Sequence, residues 1–101
     1  MDSKPHFNAL LTYLPAKDGI NSTPVSSGYR PTIKFSFEQE LFIGIQEFID
    51  TDLVFPGDVV SASITMSKRK EFTLKIYEGL DFEFYDGENL IGNGVITKVL
   101  F

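Results

Sequence analysis

Few residues in this chain have types and spacings that could do chemistry. His6 is the only histidine, and no serine or cysteine partner stands where it could be activated as a nucleophile. There are no cysteines, which removes disulfides, thiolate nucleophiles and thiolate metal ligands. Carboxylates recur two apart at Glu38/Glu40, Asp50/Asp52 and Asp81/Glu83. On a strand that spacing puts both acids on one face, as an acid pair or a hard-cation site requires. A solvated outer sheet face gives the same pattern, and it is the reading adopted. Neither the spacing of a calcium loop nor a glycine-rich phosphate loop occurs. The expectation is a chain with no catalytic residue, no metal and no cofactor. Two groups remain that could bind: Tyr29 beside Arg30, and the run Lys68-Arg69-Lys70.

Elements that could position these groups fit in one domain, because 101 residues suffice for a single core and not for two. Ten Phe and four Tyr without Trp suit strands. Period-two alternation between turn residues is the dominant pattern. Ile33, Phe35 and Phe37 oppose Thr32, Lys34, Ser36 and Glu38. Val60, Ala62, Ile64 and Met66 oppose Val59, Ser61, Ser63 and Thr65. Leu80, Phe82 and Phe84 oppose Asp81, Glu83 and Tyr85. Phe7 to Leu14 reads as a first strand with Leu10 on its outer face, residues 1–6 as a flexible tail, and Lys17 to Gly28 as a polar loop.

Turn chemistry punctuates these strands. Phe55-Pro56-Gly57-Asp58 reads as a type II turn, with Pro56 fixing φ and Gly57 accepting a positive φ. Asp86-Gly87-Glu88-Asn89 reads as a hairpin connection. Pro31 pushes Arg30 out of the helical region, so a strand can start directly after it. Gly92 and Gly94 predict a bulge or bend in the last strand. One segment is ambiguous: Phe37, Leu41, Ile45, Phe48 and Ile49 have amphipathic-helix spacing over 38–50, whereas Ile43-Gly44-Ile45 disfavours a helix.

Four motifs in order resemble the third, C-terminal β-barrel domain of elongation factor Tu: Gly28-Tyr29-Arg30-Pro31; Pro56-Gly57-Asp58; Glu78-Gly79-Leu80 with Phe82; and Gly92-Asn93-Gly94-Val95. The resemblance runs from about Phe7 to the C-terminus, and the expectation is a barrel that stands alone, without a GTPase domain in front. It implies an all-β fold, a closed antiparallel Greek-key β-barrel of about six strands, and resolves 38–50 as strand. It also implies a docking role, since the family's domain supports a GTPase domain, touches the T-stem of aminoacyl-tRNA and contacts an exchange factor. The chain departs from that pattern at Ser22, Asp81 and Asn89, where the family carries His, Arg and Arg.

Net charge is −5, which disfavours general affinity for phosphate backbones. The expected role is therefore a protein–protein contact, with an unknown protein partner or by self-association, through Tyr29, Arg30, Asp86, Gly87 and Glu88. Tyr and Arg are the types most enriched at interface hot spots. The alternative is an RNA-binding (tRNA) accessory module using Arg30, Lys68, Arg69 and Lys70. No signal peptide is recognisable at Met1–His6 and no apolar run approaches the ~20 residues that span a bilayer, so a cytoplasmic location is expected.

Overall fold

The computed structural model describes residues 4–16, 23–37, 41–66 and 75–100. Eight strands follow in chain order: β1 (Phe7–Tyr13), β2 (Val25–Ser26), β3 (Thr32–Phe35), β4 (Phe42–Phe48), β5 (Leu53–Val54), β6 (Val59–Met66), β7 (Asp81–Asp86) and β8 (Asn89–Val99). Six of them close into an antiparallel barrel in the order β1-β6-β4-β3-β7-β8. β3, β4 and β6 are consecutive strands of the barrel and lie side by side, and β1 lies beside β6, which is the Greek-key arrangement. Closure leaves the barrel without an unpaired edge.

The alternation read from sequence is the alternation of burial. Ile33, Phe35, Ala62, Ile64, Met66, Phe82 and Phe84 line the core, while Lys34, Asp81 and Glu83 are exposed. Leu10 is 42% exposed on the outside of β1. Gly57 has φ +89° and Asp58 N–H donates to the Phe55 carbonyl at 3.0 Å, closing the expected turn. β8 does bend: Phe84 faces Gly92 while Tyr85 faces Leu90, leaving Ile91 as the extra residue of a bulge. The two glycines have a further cause. A Cβ at Gly92 would collide with the Phe84 ring and the Thr12 carbonyl, and one at Gly94 with the Phe82 ring.

One ambiguity is resolved as strand and two expectations are corrected. The helical spacing over 38–50 does not produce a helix: 42–48 is the strand β4, and residues 38–40, with Glu38 and Glu40, lie outside the described residues. Its inward positions are Phe42, Gly44, Gln46 and Phe48, whereas Leu41, Ile43 and Ile49 are about half exposed. A glycine and a glutamine inside, with isoleucines outside, invert the usual pattern and create the false helical period. The flexible tail does not extend to His6. Its N–H donates to the Ile64 carbonyl (2.8 Å), its Nδ1 accepts from Met66 N–H (2.9 Å) and its carbonyl accepts from Leu100 N–H (3.0 Å), so this buried residue extends the β1 pairing by one. The polar loop before Tyr29 contains β2, which pairs with β5 so that Val25 faces Val54 and Ser26 faces Leu53. That small sheet joins the β1–β3 and β4–β6 connections.

Candidate functional site

Tyr29 and Arg30 sit on a turn that is fastened to β4 at several points. Tyr29 N–H donates to the Ser26 carbonyl (3.2 Å) around Gly28, whose φ of +95° needs glycine. Gly28 N–H donates to the Gln46 carbonyl and Gln46 N–H to the Tyr29 carbonyl, each at 2.8 Å. Phe48 N–H donates to Ser27 Oγ (2.9 Å), and Gly44 N–H to the Pro31 carbonyl (3.0 Å). The backbone of 27–31 thus adds a short extra strand edge to β4. β3 then leaves directly after Pro31, as the proline requires.

The register of β3 on β7 brings the second half of the predicted site to the same place. Thr32 faces Tyr85, so Asp86 and the Gly87-Glu88 loop lie just past Arg30. Gly87 has φ +62°, the conformation that the first loop position of a two-residue hairpin demands. Tyr29 is half-buried, and its phenol is pushed up to about 12 by burial and, secondarily, by the Asp86 carboxylate. Asp86, Gly87, Glu88 and Arg30 are exposed. Arg30 has no ion pair or hydrogen-bonded side-chain partner among the described residues. All five residues proposed from sequence therefore meet at one barrel end.

Beneath Tyr29 lies a polar pair that the sequence reading missed. Tyr13 O–H donates to Gln46 Oε1 at 2.5 Å inside the barrel. Burial, with the neighbouring Tyr29 as a lesser cause, drives the Tyr13 phenol far above its ordinary range. The Tyr13 ring packs edge-on against Phe84 (5.1 Å) and Phe48 (6.5 Å). Gln46 is fully buried and its Nε2 has no hydrogen-bond partner among the described residues. The available signal was a lone glutamine at a position of β4 whose same-face neighbours, Phe42, Gly44 and Phe48, are all apolar.

Other candidates stay apart from this end. An open groove of about 860 Å³ crosses the outside of β3, β7 and β8, lined by Lys34, Ser36, Tyr77, Asp81, Glu83 and Asn93 among others. Its charges are mixed, with Lys34 directly opposite Glu83, and Tyr85 O–H donates to Glu83 Oε1 (2.8 Å), which raises the Tyr85 phenol. Asp81 and Glu83 share the outer face of β7, and Asp50 and Asp52 lie on an exposed bend. Among the described residues no group of three or more His, Cys, Asp or Glu could hold a metal, and no helix is long and apolar enough to cross a membrane. Lys68, Arg69 and Lys70 lie outside the described residues. No protein-family model matches the chain.

Proposed function

We propose that this chain is a non-catalytic docking module, related to the C-terminal barrel of elongation factor Tu, whose Tyr29/Arg30 end contacts another protein. The observation that carries this reading is the pairing of a rigid base with an unspent cation. Tyr29 is held by backbone hydrogen bonds and half-buried, while Arg30 beside it is exposed and has no ion-pair partner among the described residues. A preorganised contact loses little entropy on binding, and a Tyr–Arg pair offers apolar area together with a planar donor fork. Charge reversal at Arg30 tests it, with capture from an extract of the source cell measured beside the melting temperature. Lost capture at an unchanged Tm supports docking. A Tm drop of several degrees would make Arg30 a structural residue and remove the site.

The alternative, RNA (tRNA) binding, draws support from Tyr77, which is 59% exposed in the same groove as Lys34 and could stack on a base. Asp81 and Glu83 in that groove oppose phosphate, so the protein-docking reading is preferred. Micromolar tRNA binding that falls steeply with salt, and that disappears when Lys68, Arg69 and Lys70 are all changed to Ala, would reverse the preference.

A further inference from the structure

His6, the only histidine of the chain, takes no part in the Tyr29/Arg30 end. It stands immediately before β1, the strand that closes the barrel between β6 and β8. In a regular antiparallel strand the N–H and the C=O of one residue point to the same neighbour, and a hydrogen-bonded pair exchanges both bonds. His6 departs from that rule. Its N–H donates to the Ile64 carbonyl of β6 at 2.8 Å, while its carbonyl turns to the other side and accepts from Leu100 N–H, past the end of β8, at 3.0 Å.

The imidazole takes the place of the diverted carbonyl. Met66 N–H, on β6, donates to His6 Nδ1 at 2.9 Å. One residue thus fastens the start of β1 to both of its neighbours, beside Phe7 in the aromatic cluster. His6 and Met66 are both buried, so a Met66 N–H that lost Nδ1 would be a buried donor without an acceptor, which costs stability. A ring nitrogen that accepts carries no hydrogen, so the closed seam takes the neutral imidazole. The surrounding charge acts in the same direction. β1, β6 and β8 contain no carboxylate, while Lys4 precedes His6 and Lys98 of β8 faces Asn8. The acids of the next element lie across β8: Asp81 faces Val95, and Glu78 adjoins Gly79, whose N–H donates to the Ile96 carbonyl. Nearby cations disfavour a further positive charge.

We propose that His6 is an acid-sensitive latch on the barrel seam: a proton on Nδ1 frees Met66 N–H and loosens the end of the barrel where the start of β1 meets the ends of β6 and β8. The proton comes from solvent. Both ring nitrogens are then donors, and Nδ1–H is directed at Met66 N–H, donor against donor. An opened seam takes up that proton at the ordinary value for histidine, about 6.5, whereas the closed seam does not. Closure is therefore favoured fully above that value and weakens about tenfold for each pH unit below it. Strand ends open locally at less cost than the whole barrel unfolds, so the response is confined to this end. The latch lies at the opposite end of β1 from Tyr13 and stands independently of the docking reading.

Amide hydrogen exchange of the full chain, read by NMR as protection factors at about pH 7 and about pH 5, tests this. The Met66 and Leu100 amides should lose about 30-fold in protection between the two conditions. The Gln46 amide, bonded to the Tyr29 carbonyl at the other end, should keep its own. His6→Asn offers an oxygen in place of Nδ1 and does not titrate. Its protection at neutral pH should stay within about threefold of the unchanged chain, and the loss in acid should disappear. His6→Leu removes the acceptor, so its Met66 amide should be as weakly protected at neutral pH as that of the unchanged chain in acid. Three results would overturn the proposal: equal protection of Met66 in the unchanged chain at both conditions, an equal fall at Gln46, or the same fall in His6→Asn. The first two need no substitution, so the test holds even if a variant does not fold.

Discussion

The two ends of the barrel interior are built on different principles. Around Phe7 the core is a cluster of rings: Phe7 lies edge-on to Phe35 (6.4 Å) and Phe82 (5.7 Å), and Phe35 also meets Phe42 (6.1 Å). Phe37 stacks on Phe35 at 5.2 Å and has Lys75 Nζ over its ring, 5.6 Å from the centroid. Around Tyr13 the interior holds a hydroxyl bonded to an amide, and the amide keeps a donor without a partner among the described residues. Burial of apolar rings stabilises with little dependence on direction, apart from a preference for edge-on and offset contacts. A buried hydrogen bond contributes less net energy but fixes geometry, and an unpaired buried donor costs stability. The polar end is also the one that carries Tyr29 and Arg30 on its outside. Positional definition is concentrated under the candidate contact surface, and stability at the opposite end.

That contrast can be broken most severely at the aromatic end. Phe35→Ala and Phe82→Ala should each destabilise by about 3–5 kcal/mol, because both remove a fully or almost fully buried ring. Urea denaturation followed by tyrosine fluorescence or circular dichroism measures this, and a loss below 1 kcal/mol would dissolve the distinction between the ends. At the polar end, Gln46→Leu should cost about 1–3 kcal/mol by leaving the Tyr13 hydroxyl buried and unpaired. Adding Tyr13→Phe should recover most of that loss, since the double variant buries no unsatisfied group. If the two losses simply add, Tyr13 and Gln46 are not coupled.

Alkali offers a milder probe of the same end. Tyr13 and Tyr29 both hold their protons more firmly when folded than the ordinary value of 10.0. Above pH 10 the unfolded chain therefore loses protons that the folded one keeps, and stability falls as pH rises. The contribution of Tyr29 should be intact below pH 10 and lost progressively up to about 12, the value to which its phenol is raised. Tm measured from pH 8 upward should be flat and then decline from pH 10, less steeply in Tyr29→Phe. A steepness equal to that of the unchanged chain would separate Tyr29 from alkaline unfolding. The smallest effect belongs to the outer face: Glu83→Ala should change stability by no more than about 0.5 kcal/mol, as exposed substitutions do. A loss comparable to that of the adjacent Phe82→Ala would mean that inside and outside had been exchanged.

The sequence by itself determined the strands in which hydrophobic and polar residues alternate, because period two is the direct record of a half-buried strand. It likewise determined the turns at Gly57 and Gly87, where backbone conformation selects glycine, and it selected the residues at the Tyr29 end. β4 was not decided there. Its inward face accepts Gly44 because the Ile33 side chain occupies the space a Cβ would fill, and Gln46 because Tyr13, 33 residues away in the chain, supplies a hydroxyl. Neither circumstance leaves a trace in local periodicity. The two-residue strands β2 and β5 were invisible for the same reason, being stabilised by pairing with each other rather than by any pattern of their own. Only the tertiary structure set Asp86 beside Tyr29, and only strand register put Lys34 directly opposite Glu83. Such alignments depend on which strands become neighbours and at what offset, and a chain read in order contains neither.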